Sequence, residues 1–385
     1  MIPFFLLSTS LFLILWWAYF GYFIFLAIAK LCKQPGEKND KLDSYPNVAF
    51  IVCCKNESAL VEEKLKNTLL LDYPKDKITI YFVDGQSTDD TVQKLTELAK
   101  EFCNVEIHKS NITGKINQLN FILPKIQSEL IVNSDMDAEL IPNTITELVK
   151  EFSNDPYVSV AGAMVIPKNA CIEEIQYWHS QNKVRLLESD VYSSSIVIAP
   201  CYMFKKDLIE SFPYDVVADD IYIANLATIH GKRVVYCKDA IAYETRTPKS
   251  VNEMFIHKFR KTNAYITEIL RFMHFLPQLN LFWKVIFLTR ALQLLGTPWI
   301  LVSFGMLLLS LLSLGHISIV FLYFCIGVAS LGITHLIIGK VDTGVSRKTE
   351  DFITSLYVFL TLTALLLLAG ISYPFYRQNS QYKKL

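Results

Sequence analysis

The sequence lacks the usual signatures of a nucleotide cofactor site. It contains neither G-x-x-x-x-G-K-[ST] nor G-x-G-x-x-G, so a P-loop and a nicotinamide-binding Rossmann site are both unsupported. Its eight cysteines include no C-x-x-C pair, and so they offer no zinc-ligand spacing. We expect them to be reduced packing residues, because a domain of this size builds its core without disulfides.

Charge is also scarce, and it is scarcest at the two ends of the chain. Charged residues make up 19% of the sequence and hydrophobic ones 52%, with 37 basic and 37 acidic side chains. An uncharged run covers residues 3–29, and further apolar runs cover about 294–314, 317–338 and 352–373. Each run is long enough to cross a bilayer. The sequence therefore predicts an integral membrane protein, with no nucleic acid among its partners.

Basic residues next to the apolar runs predict the orientation. Four lysines follow the first run: Lys30, Lys33, Lys38 and Lys41. By the positive-inside rule, the N-terminus lies outside and the central segment is cytoplasmic. The basic loop 340–348 agrees if three spans follow the centre, whereas the tail Arg377, Lys383 and Lys384 does not. A fourth C-terminal span within 281–292 would reverse that placement, but its two basic residues favour an interfacial piece.

The central segment, 42–250, alternates short β-rich runs with helical ones, as expected of a mostly parallel sheet with crossover helices. Strands are predicted at 48–54, 78–83, 105–108 and 130–133, and helices at 58–70, 91–102, 115–123 and 221–228. Ligands of such sheets bind beyond the carboxyl ends of the strands. The side chains that fall there are Asn56, Glu57, Asp84 and Asp135.

The chain thus divides into an anchor at 1–30, a catalytic domain at 42–250, an interfacial segment at 251–292, membrane helices at 293–374 and a tail at 375–385. Within the interfacial segment, 254–275 reads as an amphipathic helix, with Lys258 and Lys261 on its polar side. Such a helix would lie in the headgroup region and lead into the spans.

Asp135-Met136-Asp137 directly follows a predicted strand. Two carboxylates at this spacing can hold one Mg²⁺ or Mn²⁺, because these ions are often bound by one or two carboxylates and the phosphates of a substrate. A surface turn is the alternative for an isolated D-x-D.

Three other positions also have a plain structural reading. Asp84 can accept from a base N–H or a ribose hydroxyl, or it can belong to a Gly-containing turn capped by Ser87 or Asp89. Lys115, at a helix start, can meet phosphate or be a solvated helix end. Asp219 and Asp220 can include a general base or can be only the N-cap of the next helix.

Seven motifs occur in order along the centre of the chain: KNES at 55–58, DYP at 72–74, VDGQSTDD at 83–90, GKINQLN at 114–120, SDMD at 134–137, ADD at 218–220 and HKFRK at 257–261. This set resembles the membrane-bound, inverting GT-A glycosyltransferases of family 2. That superfamily includes cellulose, chitin, hyaluronan and poly-N-acetylglucosamine synthases and ceramide glucosyltransferases.

The resemblance implies a role for each matching residue. Asn56 and Glu57 would belong to the nucleotide-sugar site, Asp84 would contact uridine, and Lys115 would lie near the diphosphate. Asp135 would reach both nucleotide and metal, and Asp137 would bind the metal. Asp220 would be the general base with Asp219 beside it. Arg260 would clamp the diphosphate, because it matches the Arg of Q-x-x-R-W.

Two departures from that last motif bear on the product. His257 stands where the family has Gln, and Lys261 stands where it has a Trp that stacks on an acceptor sugar. We therefore expect transfer of one or a few sugars from a UDP-sugar to a lipid or lipid-linked glycan. A processive polysaccharide synthase is the alternative within the same chemistry, and a transporter or non-catalytic membrane protein is the alternative outside it.

Overall fold

A computed structural model describes residues 2–33, 41–343 and 352–377. Its strands are β1 Val48–Cys54, β2 Ile78–Asp84, β3 Val105–Lys109, β4 Leu130–Ser134, β5 Ala138–Leu140, β6 Val158–Pro167, β7 Cys201–Lys205 and β8 Arg233–Glu244. Its helices up to the end of the central segment are α1 Ile2–Trp16, α2 Tyr22–Cys32, α3 Val61–Leu69, α4 Thr91–Leu98, α5 Lys115–Ile122, α6 Thr144–Asn154, α7 Ile172–Val191 and α8 Asp219–Ile229. The later helices are α9 Val251–Phe272, α10 Leu281–Ala291, α11 Thr297–Ser313, α12 Ile317–Gly339 and α13 Phe352–Ser372.

The strands form one eight-stranded sheet in the order β3-β2-β1-β4-β7-β6-β8-β5. The first four strands of that order are mutually parallel. The strand β7 then runs antiparallel to both of its neighbours, and β6 and β8 are again parallel. The predicted, mostly parallel sheet with crossover helices is confirmed, and the antiparallel β7 makes it a mixed sheet.

Both faces of the sheet are apolar, because successive side chains of a strand point to opposite faces and helices cover each face. In β1, Phe50 packs in the same cluster as Leu65 of α3, on one face. Its neighbour Ile51 packs with Leu119 of α5 on the other. The strands hold their loops rigidly, so the polar residues at their carboxyl ends are presented at one edge.

The predicted elements of the first half are present with slightly different bounds. The helices α3 and α4 are shorter than the apolar pattern indicates, since α3 begins at Val61 and α4 ends at Leu98. The strand β2 extends to Asp84. Helix ends are the least determined part of such a pattern, because turn residues can continue the apolar period without continuing the helix. All eight cysteines are free thiols.

Within the described residues, three helices are long and apolar enough to cross a membrane: Ile2–Cys32, Leu281–Ser313 and Ile317–Ile337. A shorter apolar helix covers Tyr357–Ser372. The first two helices each contain a π-helical turn, Trp17–Gly21 and Leu292–Gly296. Lys38, most of the basic loop 340–348 and the tail beyond residue 377 lie outside the described residues.

The segment 281–292 is not a separate span, because α10 continues through the π-helical turn into α11 as one helix of 33 residues. At 1.5 Å per residue this helix is about 50 Å long, more than the roughly 30 Å of a hydrocarbon core. Part of it must therefore project from the bilayer. The N-terminal part, with Lys284 and Arg290, is the more polar end.

A buried ion pair joins the membrane helices to the central domain. The carboxylate of Glu188, at the end of α7, accepts from Tyr22 Oη at 2.6 Å and from Arg290 Nη2 at 2.8 Å. Its second oxygen accepts from the Ser195 backbone at 2.9 Å. Glu188 has no solvent exposure. We call Glu188, Arg290, Tyr22 and Ser195 the anchor cluster, since it connects α2, α7, α10 and the loop before β7.

The helix α9 differs from the predicted amphipathic pattern at one position. Lys258 was expected on the polar side, but it is buried, with its ammonium 2.7 Å from Glu174 Oε1 and 3.8 Å from the ring centroid of Tyr177. Both partners belong to α7. The periodicity of one helix cannot reveal a carboxylate that another helix provides, and a buried lysine requires such a partner.

Candidate active site

The acidic turn Asp135-Met136-Asp137 lies at the carboxyl end of β4, between two strands that hold it in place. Asp135 donates its backbone N–H to Pro200 O at 3.3 Å. Thr245, just after β8, donates its backbone N–H and its hydroxyl to Asp137 O, at 3.0 and 2.8 Å. Met136 is buried. The turn is therefore held through its backbone groups rather than through its two carboxylates.

The two acidic motifs meet at one ammonium group. Lys115 Nζ lies 2.8 Å from Asp135 Oδ1 and 3.0 Å from Asp219 Oδ2. Burial lowers the pKa of Lys115, but Asp135 and Asp219 outweigh it and raise that pKa well above its usual value. Lys115 begins α5 directly after Gly114, whose φ of 109° an L side chain rarely adopts. The structure thus brings together the residues predicted at 115, 135 and 219, which are far apart in sequence.

Asp220 lies beside this group and is more exposed than Asp219. Its two oxygens accept only from backbone, from Ile221 N at 2.9 Å and Ala199 N at 3.0 Å. Burial and the neighbouring Asp219 raise its pKa to about 6. The helix α8 begins at Asp219, and its N-cap residue Ala218 forms no side-chain cap hydrogen bond, so the reading of this acidic pair as only an N-cap is wrong. The role of Asp220 as the general base stays a prediction.

Asp137, the predicted metal ligand, lies in an excess of negative charge. Burial and the adjacent Asp135 raise the pKa of Asp137 to about 6, although Arg246 opposes the shift. Among residues 2–33, 41–343 and 352–377, no three His, Cys, Asp or Glu side chains come close enough to hold a metal ion alone. Two carboxylates with oxygen donors fit Mg²⁺ or Mn²⁺, provided that a substrate's phosphates complete the coordination.

Arg246 is a site residue that the sequence did not suggest. Its Nη2 lies 2.7 Å from Glu57 Oε2, and its Nε lies 3.9 Å from Asp137 Oδ2. It follows β8 directly, so it connects the loop after β1 with the acidic turn after β4. A basic residue just past a strand, on the same edge as the acidic motifs, could have indicated Arg246 from the sequence. It was missed because the strand β8 was not predicted.

The residues predicted for the nucleotide also lie on this edge, and they hold one another. Asp84 accepts from the backbone N–H of Gln86 and Ser87 at 3.1 and 3.2 Å, so Asp84 itself, rather than Ser87 or Asp89, holds the start of this turn. Asn56, with a φ of 52°, accepts from Thr88 N at 2.8 Å. Glu57 is buried against Arg246. Contact of these side chains with a nucleotide stays a prediction.

We call the group Asp135, Asp137, Asp219 and Asp220 the acidic edge. The motif HKFRK lies on α9, which packs beside it. Lys261 Nζ is 3.5 Å from Glu244 Oε1 and 5.8 Å from the ring centroid of Trp178. Burial and the charges of Lys261 and Lys258 hold the pKa of His257 far below its usual value, so that imidazole is neutral. Arg260 is partly buried on the same helix. Its role as a diphosphate clamp stays a prediction.

Comparison with known proteins shows what parts of the chain are similar to. Residues 49–212 match the family model described as glycosyl transferase family 2. The beta-monoglucosyldiacylglycerol synthase of Nostoc sp. is 30% identical over 138 residues, which are 35% of this chain and 29% of that protein. The poly-beta-1,6-N-acetyl-D-glucosamine synthase of Staphylococcus aureus is 23% identical over 245 residues, 60% of this chain and 58% of that protein. The chain thus spans less than two thirds of the length of either relative.

A solved structure extends the likeness to almost the whole chain. The mannosyltransferase of Pyrobaculum calidifontis, determined with GDP-Man and Mn²⁺, matches with a TM-score of 0.71 at 22% identity, covering 97% of this chain and 99% of that one. At this identity the likeness establishes the fold. The predicted GT-A domain with membrane helices at both ends is confirmed.

Proposed function

We propose that this chain, whose residues 49–212 form a glycosyl transferase family 2 domain, is a membrane-embedded inverting glycosyltransferase. It moves a sugar from a nucleotide sugar to a lipid or lipid-linked glycan. The observation that carries the proposal is the convergence of Asp135, Asp219 and Lys115 at one edge of the sheet, with Asp137 and Asp220 beside them. Three candidate spans among the described residues, beside a large central domain, count against a transporter. The intact set Asp84, Asp135, Asp137, Asp220 and Arg260 counts against a non-catalytic membrane protein.

Asp220 is the proposed general base. An inverting transfer needs one group to take the proton of the acceptor hydroxyl as that hydroxyl attacks the anomeric carbon. With a pKa of about 6, Asp220 is ionised at neutral pH yet still basic enough to accept a proton. Its partial exposure lets an acceptor reach it, whereas Asp219 is almost fully enclosed.

Asp135 and Asp137 are the proposed protein ligands of a Mg²⁺ or Mn²⁺ ion. When bound, this ion supplies Lewis-acid neutralisation of the leaving nucleoside diphosphate. Lys115, Arg260 and the donors of the loop at 84–88 complete the nucleotide-sugar site. We propose uridine as the base of the nucleotide, with Asn56, Glu57 and Asp84 forming the floor beneath it.

The acceptor is proposed to come from the bilayer. The helix α9 carries Arg260 and Lys261, packs along α13 and leads through Met273–Gln278 into the long helix Leu281–Ser313. This arrangement supports a position of the acidic edge at the membrane surface, and the lysines after the first span favour the cytoplasmic side. Replacement of the aromatic residue by Lys261 removes a stacking surface for successive sugars, so we propose release after one or a few additions.

The decisive experiment supplies membranes containing the protein with a panel of radiolabelled UDP- and GDP-sugars. Label in the lipid extract, as a discrete short species on gel filtration, is expected with at least one UDP-sugar. A high-mass polymer made by the purified protein would favour the processive synthase, and transfer from a GDP-sugar alone would correct the nucleotide. No transfer and no hydrolysis of any donor would contradict the enzyme assignment.

Asp137→Ala tests the metal assignment. The variant is expected to lose divalent-dependent transfer, because one of two protein ligands is gone. Asp239→Ala, an exposed acid away from the site, serves as the control and should behave as wild type. Full activity of wild type in excess chelator would contradict the assignment.

A further inference from the structure

We infer that Asp219 is a positioning residue for Lys115: it keeps the ammonium in the site while Asp135 is released to bind a divalent cation. This inference rests on the proposed function, and it replaces the catalytic role that the sequence suggested for Asp219. It predicts that Asp219 acts on the metal through Lys115 rather than directly.

The contacts of Asp219 argue against direct chemistry. Its Oδ2 accepts from Tyr202 Oη at 2.6 Å, from Lys115 Nζ at 3.0 Å and from Asn133 Nδ2 at 3.2 Å. Its side chain is only 7% exposed, against 31% for that of Asp135. A ligand from solution therefore reaches Asp135, whereas Asp219 stays behind it with its Oδ2 already held by three donors.

The shell around Asp219 is built into the sheet. Asn133 of β4 and Tyr202 of β7 are directly opposite in the antiparallel pair, and both are fully buried. They therefore reach the carboxylate from two strands whose register fixes their separation. Neither group carries a charge, so they orient the carboxylate of Asp219 without competing with Lys115 as its cationic partner.

The sharing of one ammonium by two carboxylates creates a competition. A divalent cation at Asp135 competes with Lys115 for that carboxylate, because the ammonium already lies 2.8 Å from its Oδ1. An ammonium in this setting is costly without a partner. Asp219 avoids the free-energy cost of an unpaired ammonium, because Lys115 keeps this ion pair when Asp135 binds the cation. The ammonium then remains beside the incoming diphosphate.

A double-mutant cycle on Mn²⁺ binding tests the inference without any turnover. The full-length protein in detergent is titrated with Mn²⁺, and free Mn²⁺ is followed by its electron paramagnetic resonance signal, with and without UDP. The variants are Asp219→Asn, Lys115→Met and the two combined, with Asp239→Asn as the matched control for loss of an exposed acid.

Asp219→Asn is expected to weaken Mn²⁺ binding by roughly fivefold or more, because Lys115 then pairs with Asp135 alone. Lys115→Met should strengthen Mn²⁺ binding in the absence of UDP. In the Lys115→Met background, Asp219→Asn should change the affinity by less than about twofold. An equal weakening in both backgrounds would mean that Asp219 acts on the cation directly, and it would overturn the inference.

Tyr202→Phe keeps the inference testable if Asp219→Asn does not fold. It removes one donor from Asp219 without changing any charge, so a weaker version of the Asp219→Asn effect is expected, again only when Lys115 is present. Wild-type protein that binds no Mn²⁺ even with UDP would overturn the metal assignment as well. If Mn²⁺ binds but the effects of Asp219→Asn and Lys115→Met on its affinity are additive, only the positioning role of Asp219 is overturned and the metal assignment stands.

Discussion

Two buried clusters of charge in this molecule are satisfied in opposite ways. In the anchor cluster, the carboxylate of Glu188 faces one guanidinium, one hydroxyl and one backbone N–H, and both of its oxygens are bonded. At the acidic edge, Asp135, Asp137, Asp219 and Asp220 contact Lys115 and Arg246 and interact with Lys64 and Lys261. Arg246 and Lys261 are also paired with Glu57 and Glu244, so six acids face four cations. The first arrangement holds parts of a fold together, whereas the second leaves a deficit of positive charge that a ligand can fill.

The pKa values of the acidic edge express the same difference. Those of Asp137 and Asp220 are raised to about 6, first by burial and then by a neighbouring carboxylate. Perturbed acids of this kind are concentrated at functional sites, because their environment is arranged for a ligand or a proton rather than for stability. Breaking each cluster should therefore have a different consequence.

The largest effect is expected from the anchor cluster. Arg290→Met leaves Glu188 buried without its charged partner, and such losses cost about 3–5 kcal/mol in the free energy of unfolding. Lys30→Met is the control, since its ion pair with Asp190 is about half exposed on both sides and is worth less than about 1 kcal/mol. Unfolding of the purified proteins in detergent, followed by circular dichroism, compares the two. Equal losses would show that the anchor cluster does not hold the domain to the spans.

At the acidic edge, the second prediction concerns rate rather than stability. Asp220→Asn removes the proton acceptor but keeps the shape of the side chain, so turnover should fall by roughly a hundredfold or more. Binding of the nucleotide should persist, and Asp219→Asn should cost less rate. If Asp219→Asn were inactive and Asp220→Asn active, the roles of the two residues would be reversed.

The sequence predicted the acidic edge better than the anchor cluster, and the reason is physical. Val48–Cys54 and Leu130–Ser134 are buried strands, and a buried strand followed by polar residues is a local pattern. The parallel pairing then brings Asp84 and Asp135 to one edge. The sequence did not reveal the pairs Arg246–Glu57 and Arg290–Glu188, because their members are more than a hundred residues apart. It did not reveal Tyr202, because that residue contacts Asp219 from a strand that was not predicted. Lys258 was assigned to a polar face because its partner Glu174 lies on another helix.

A third prediction follows from the pKa of Asp220. The base must be ionised, so kcat/KM should rise with pH through about 6 and level off above it. Below that value it should fall by about tenfold for each pH unit. The measurement is a pH profile of initial rates at saturating metal ion, with Asp220→Asn as the control, whose residual rate should lack this step. A profile that is flat from pH 5 to 8 would contradict the assignment of the base.

The smallest expected effect is a gain in stability at the acidic edge. A carboxyl whose pKa is raised in the folded state binds its proton more tightly there than when unfolded. Its ionised form therefore destabilises the fold above pH 6, and this penalty disappears as the pH falls toward 4. Asp137→Asn removes the charge that burial and Asp135 oppose, so it should stabilise the metal-free protein by about 1 kcal/mol at pH 7.5.

The gain should shrink at pH 5 and should turn into a loss when Mn²⁺ and UDP are present, since the variant binds them less well. Thermal unfolding of wild type and variant in chelator, at the two pH values, measures the difference, with Asp239→Asn as the exposed control. A destabilised Asp137→Asn protein in chelator at pH 7.5 would mean that Arg246 already satisfies this carboxylate. The acidic edge would then resemble the anchor cluster, and the deficit of positive charge that distinguishes the two clusters would be confined to Asp135, Asp219 and Asp220.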